Sequence, residues 1–141
     1  MKKYFELAQN IADIFSHDDR TKVGTVILDS DNFDILSVGY NSFPDTDDKH
    51  LIEQFNKSPK KELLITHAEY MAIQRAKKYN IPLNNNIIVT TLFPCWECAE
   101  YIVENKLSQI YTYKRPLTGG WWDDEPVLKL FEDNNLEIFY D

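Results

Sequence analysis

The chain has few cysteines, no basic stripe and no long apolar run, and each shortage removes a class of protein. Two cysteines in 141 residues cannot build a disulfide framework, and a chain of this length can bury its own core without one. No run of about 18 apolar residues occurs, so no membrane-spanning helix is predicted. The first fifteen residues open with two lysines, but Glu6, Gln9, Asn10 and Asp13 interrupt any apolar stretch. They read as an amphipathic helix rather than a signal peptide, and a reducing, cytoplasmic setting with no membrane partner is the expectation. Acidic side chains number 23 against 15 basic ones, for a net charge of −8 and a pI near 4.8. The basic clusters are pairs, such as Lys60-Lys61, Lys77-Lys78 and Lys114-Arg115. Long nucleic acids are held largely by phosphate neutralisation along a basic surface, so a polynucleotide partner is disfavoured. A small phosphorylated ligand in one local basic pocket stays open. Repeats, low-complexity tracts and internal linkers are missing too, and the length suits a single domain over residues 1–141.

What is present is an ordinary globular composition, 43% hydrophobic and 27% charged. Tyr4, Leu7, Ala8, Ile11, Ile14 and Phe15 fall at helical spacing over residues 2–15. Residues 23–28 and 35–40 are rich in β-branched side chains and read as two strands joined by a polar turn. Helical patterns over residues 67–79, 95–106 and 126–134 alternate with strand patterns over 87–91, 109–113 and 136–140. Residues 41–66 read as a long loop carrying short helical pieces near 52–55 and 62–65, and a loop that long is usually functional or misread. The order α-β-β-α-β-α-β-α-β predicts an α/β fold, a three-layer α/β/α sandwich around one five-stranded mixed sheet.

Three elements carry chemistry: His67-Ala68-Glu69, Pro94-Cys95, and Cys98. Each metal-directed residue falls at or near a predicted helix start, where unpaired N–H groups favour thiolate over thiol. Residues 95 and 98, at i and i+3, project from one face of a turn. One imidazole and two thiolates suit zinc and fill three of its four tetrahedral positions. Three protein ligands with an open position is the catalytic pattern, and four would be structural. Glu69 sits close enough in sequence to reach a metal-activated water without ligating the ion. Each of these residues alone has an ordinary explanation, and a lone C-x-x-C could be redox, zinc or accident. Their conjunction matches the H-x-E…P-C-x-x-C signature of zinc nucleobase deaminases.

At these residues the chain resembles the cytidine/deoxycytidylate deaminase superfamily, and within it the deoxycytidylate (dCMP) deaminases. Ser16-His17-Asp18-Asp19-Arg20-Thr21-Lys22-Val23-Gly24 is similar to that family's S-x-D-x-x-x-x-V-G segment. Gly39-Tyr40-Asn41-Ser42-Phe43-Pro44 is similar to G-Y-N-G-x-P, and Leu92-Phe93-Pro94-Cys95-Trp96-Glu97-Cys98-Ala99 to L-F-P-C-x-E-C-A. The resemblance implies a cytidine deaminase-like fold, one catalytic Zn2+ on His67, Cys95 and Cys98, and Glu69 as the catalytic proton carrier. The reaction implied is dCMP plus water giving dUMP plus ammonia, a supply of dUMP for thymidylate synthesis. Asn41 and Ala68 are implied substrate contacts. Lys22 is one basic candidate for the phosphate, with Arg20, Lys114 and Arg115 as others. Trp121-Trp122 could close over a pyrimidine or serve as core or subunit contacts. The resemblance further implies a homo-oligomer, with a hexamer favoured, and allosteric control by dCTP and dTTP, with Mg2+ accompanying those effectors.

The chain departs from the pattern at Ser42, where Gly is usual, and at Met71, where the family helix often has Asn. Other readings are a cytidine, guanine or tRNA-adenosine deaminase of the same fold, a noncatalytic zinc-stabilised module, and a thiol–disulfide oxidoreductase. A structural zinc module needs a fourth protein ligand, and neither His17 nor His50 is suitably spaced.

Overall fold

The structure, a computed structural model, describes residues 1–44, 46–113 and 123–141. Helix α1 (Lys2–Phe15) leads into strands β1 (Gly24–Leu28) and β2 (Ile35–Tyr40). Helices α2 (Lys49–Lys57), α3 (Lys61–Leu64) and α4 (Ala68–Lys78) follow. The remaining elements are β3 (Ile87–Thr90), α5 (Trp96–Glu104), β4 (Gln109–Thr112), α6 (Glu125–Asp133) and β5 (Glu137–Tyr140). The strands form one mixed sheet in the order β2-β1-β3-β4-β5. β1 runs antiparallel to both neighbours, whereas β3, β4 and β5 are mutually parallel, as their intervening helices require.

Helices cover both faces. On one, Phe5, Ala8 and Ile11 of α1 meet Val26, Leu28, Ile87 and Val89. On the other, Ala72, Ile73 and Ala76 of α4 join Ile102 of α5, Phe131 of α6 and the strand residues Ile27, Ile88 and Ile110. The all-buried strands β1 and β3 sit between these layers, which explains their nearly continuous apolar sequences. Two glycines let helices come close to the sheet. A Cβ on Gly24 would lie 1.9 Å from the Ala8 carbonyl oxygen, and one on Gly39 would lie 2.1 Å from that of Ala68. The Gly39 contact sets the start of α4 against β2, and Ser37 Oγ donates 2.7 Å to the Ala72 carbonyl one turn further on.

Residues 41–66 hold more helix than their composition suggests. Asp48 caps α2, accepting from the N–H groups of His50 and Leu51, so the helix starts ahead of its apolar residues. α4 ends where expected, with Asn80 in the left-handed conformation at φ 56°. The expected loop with Pro116, Gly119 and Gly120 lies outside the described residues, as do Lys114, Arg115, Trp121 and Trp122.

Candidate active site

His67 and Cys95 occupy equivalent places, each the N-cap of the helix it precedes. Both have extended backbone angles, and neither side chain caps its own helix. Each is therefore free to turn toward the other, and Cys98 joins them from the first turn of α5. His67 Nδ1 lies 3.5 Å from Cys95 Sγ and 3.4 Å from Cys98 Sγ. Zinc–nitrogen and zinc–sulfur bonds at a tetrahedral angle place their ends about 3.6 Å apart. The three donors, all within 4.8 Å of one another, thus fit a tetrahedral ion of that size. No fourth ligand joins this group among the described residues. His17 is occupied elsewhere, its Nδ1 accepting the Phe43 N–H at 3.0 Å.

The electrostatics of the cluster suit a cation. Cys98 donates to Cys95, which draws the Cys95 thiol far below its usual range and pushes Cys98 up. The Cys95 thiolate in turn raises His67 to about 9. A metal displaces the protons these groups share.

Glu69 is 4% exposed, deep for a carboxylate. Burial raises its pKa, while its own backbone N–H and the Thr90 hydroxyl act against that rise. Thr90 Oγ1 donates to Glu69 Oε1 at 2.9 Å and itself accepts from Thr25 Oγ1 at 3.0 Å. With both hydroxyl protons committed in that direction, Oε1 is an anchored oxygen. Thr90 and Thr25 were not singled out from sequence. Their signal is a hydroxyl at paired positions of two otherwise apolar strands.

A cavity of about 210 Å³ gathers these groups. Its walls include Asn41, His67, Ala68, Glu69, Phe93 and Cys95, with Asp18 and Thr21 on one side and Glu62 and Ile65 on another. Asn41 is largely engaged by the protein. Its Oδ1 accepts from Val23 N–H at 2.9 Å and from Ser16 Oγ, and its Nδ2 donates to the Thr21 carbonyl at 2.7 Å. One amide hydrogen is left for a ligand. Ala68, the first residue of α4, is fully buried in the wall. Lys22 is exposed, is not one of the lining residues, and donates to the Ser16 carbonyl at 3.4 Å. A second, more open cavity of about 420 Å³ shares Glu62, Ile65 and His67 with the first and adds Leu63, Tyr70 and Tyr101.

A mixed sheet flanked by helices, with a His-Cys-Cys cluster at two helix starts and a buried glutamate beside it, defines a domain of the cytidine deaminase-like class. The model of the cytidine and deoxycytidylate deaminase zinc-binding region matches residues 1–114. A probable deoxycytidylate deaminase of Caenorhabditis elegans is 34% identical over 112 residues, covering 78% of this chain and 55% of that protein. A probable deoxycytidylate deaminase of Drosophila melanogaster is 34% identical over 116 residues, covering 76% and 56%. The match thus spans little more than half the length of these relatives. In fold, the chain is similar to the dCMP deaminase of cyanophage S-TIM5, solved with dCMP and dUMP. The TM-score is 0.75 at 18% identity, covering 99% of this chain and 95% of that one. The chain belongs to the cytidine and deoxycytidylate deaminase family. Among the described residues, no helix is long and apolar enough to cross a membrane.

Proposed function

We propose that this protein hydrolyses dCMP to dUMP and ammonia. The observation that carries the reading is the convergence of His67, Cys95, Glu69 and Asn41 on one cavity of about 210 Å³. Zinc on His67, Cys95 and Cys98, when bound, supplies Lewis-acid activation of water. Glu69, anchored through Oε1 by Thr90, accepts the water proton on its carboxylate and delivers it to N3 of the pyrimidine as C4 is attacked. It then takes the proton of the new C4 hydroxyl and passes it to the departing amine, so that ammonia leaves as the C4 carbonyl forms. Burial suits this cycle, because it keeps the protonated carboxyl accessible and excludes competing bulk water. The remaining Asn41 amide hydrogen and the buried start of α4 at Ala68 hold the substrate in place. Lys22, adjacent to the cavity-lining Val23, offers its ammonium to the phosphate near the mouth.

Residues 1–141 act as one domain in this reading, and the protein works in the cytoplasm as a homo-oligomer, a hexamer by family resemblance. Control by dCTP and dTTP with Mg2+ completes it, and that part fails if those nucleotides leave the substrate curve unchanged. The central test is ammonia release by zinc-loaded protein, with dCMP and deoxycytidine compared side by side. Turnover of dCMP with little of deoxycytidine supports a nucleotide enzyme. The reverse preference keeps the proton chemistry and moves the chain to a nucleoside branch, whereas silence on both, with dCTP and Mg2+ supplied, overturns the proposal.

A further inference from the structure

The segment that closes the cavity has an unusual means of attachment. Helices α2 and α3 contain no buried residue, and Leu63 in α3 is 84% exposed. Apolar burial, the usual force that docks a helix, is therefore weak along this stretch. Yet Glu62 and Ile65, at its end, form walls of both cavities beside His67. Polar contacts hold the segment instead, and most of them land on residues 16–21. Asn56 Nδ2 donates 2.8 Å to the His17 carbonyl, and Asn56 Oδ1 accepts from Asp19 N–H at 3.2 Å. Phe55 adds one ring contact, 5.2 Å from Phe43. Ser42 and Thr66 form a two-bond bridge at the base.

The strongest of these attachments is Lys61. Its Nζ lies 2.7 Å from Asp18 Oδ1 and 2.9 Å from Asp19 Oδ1. The Lys61 and Asp18 side chains are only 11% and 7% exposed, so this pair is shielded, unlike the solvated Lys57–Glu53 pair on α2. Asp18 Oδ1 also accepts the N–H groups of Arg20 and Thr21, at 2.8 and 3.1 Å. One oxygen thus ties the segment to the loop, and the loop to itself. The connection continues inward, because the Thr21 carbonyl holds the Asn41 amide that faces the cavity.

We infer that Lys61 is a latch, a positioning residue that holds residues 49–64 against the 16–21 loop and thereby fixes the Glu62–Ile65 wall of the substrate cavity. It acts on ligand binding rather than on the chemical step, since it touches neither the metal-ligand cluster nor Glu69. The effect on substrate rests on the deaminase reading, whereas the effect on the segment does not.

The test compares Lys61→Met, Lys61→Arg and Asp18→Asn by amide hydrogen exchange and by steady-state kinetics on dCMP. In Lys61→Met, exchange over residues 49–64 accelerates about tenfold or more, while α4 and β3 keep their protection. KM rises about fivefold or more with kcat within about twofold, the mark of lost ground-state positioning. Lys61→Arg, which can span both carboxylates, restores most of each effect, and Asp18→Asn loosens the same residues. Unchanged exchange in Lys61→Met overturns the latch. A loosened segment with unchanged KM overturns its role in shaping the cavity. If every form lacks turnover while the segment still loosens, the latch stands and the dCMP reading fails.

Discussion

Residues 67–104 and residues 41–66 both wall the cavity, but different forces hold them. The first stretch carries the cluster and Glu69 on helices whose inner faces are fully buried: Ala68, Ala72, Ile73 and Ala76 on α4, Ala99 and Ile102 on α5. The second stretch carries two short helices with no fully buried residue and is held largely by Asn56, Lys61 and a short bridge. Proton transfer and metal ligation tolerate little displacement, so they belong on the close-packed layer. A wall that must admit and release a ligand can rest on contacts that open locally at lower free energy.

The largest effects are expected in the packed layer. Glu69→Gln should lower kcat by about 10²–10⁴-fold while keeping zinc content and melting temperature, as metal analysis and calorimetry would show. Loss of zinc along with activity would instead make Glu69 part of the metal site. Thr90→Val should cost about tenfold or more in kcat, because Glu69 Oε1 loses its hydroxyl donor. Thr90→Ser should recover most of that loss, and equal rates in both variants would remove the anchoring role.

Packing itself is tested at Gly39. Gly39→Ala places a Cβ against the Ala68 carbonyl and must push the start of α4, and with it His67 and Glu69, off the sheet. Overpacking of this kind should destabilise the fold by about 1–3 kcal/mol and reduce zinc retention. Leu63→Ala, on the exposed α3, should change stability by no more than about 0.5 kcal/mol in denaturant unfolding.

The smallest effect concerns pH. Burial raises the Asp18 carboxyl, but the Lys61 ammonium and the Arg20 and Thr21 N–H groups outweigh it and hold Asp18 below its usual value. Burial likewise lowers Lys61, yet Asp18 and Asp19 outweigh it and hold the ammonium above its usual value. A carboxyl with a depressed folded pKa contributes stability that is present above the unfolded value. That stability is lost as pH falls through the folded value. Lys61 contributes stability below the ordinary lysine range, lost as pH rises through its higher folded value. Docking of residues 49–64 should therefore weaken at both acid and strongly alkaline pH. Lys61→Met should flatten both limbs of a stability profile followed by exchange over that segment. A profile that keeps its shape in the variant would place the titration elsewhere.

Much of the architecture was legible in advance because it rests on local patterns. The alternation of β-branched runs with 3.6-residue apolar periods outlined all five strands and the four long packed helices, within one or two residues at most ends. The metal-directed residues were legible for a similar reason, since His67, Cys95 and Cys98 are rare residue types at fixed offsets from helix starts. Residues 41–66 resisted because α2 and α3 are short and only half-bury their inner sides, at Ile52, Phe55 and Asn56 on α2 and Lys61 and Leu64 on α3, and two of those five positions are polar residues that leave no apolar signal. Thr25 and Thr90 resisted because they are separated by 65 positions and pair only through the register of β1 with β3.

Residue identity and short-range periodicity were enough to single out His67, Cys95 and Cys98 as a candidate metal-binding group, Glu69 beside it, and the order of elements. It took the folded chain to show that Thr90 anchors one oxygen of Glu69, that Asn41 spends most of its amide on the 16–23 loop, and that Lys61 ties the outer wall to Asp18. These are long-range contacts between common polar residues. Their meaning is set by burial and by which partner the fold brings within hydrogen-bond reach, and no local pattern carries that information.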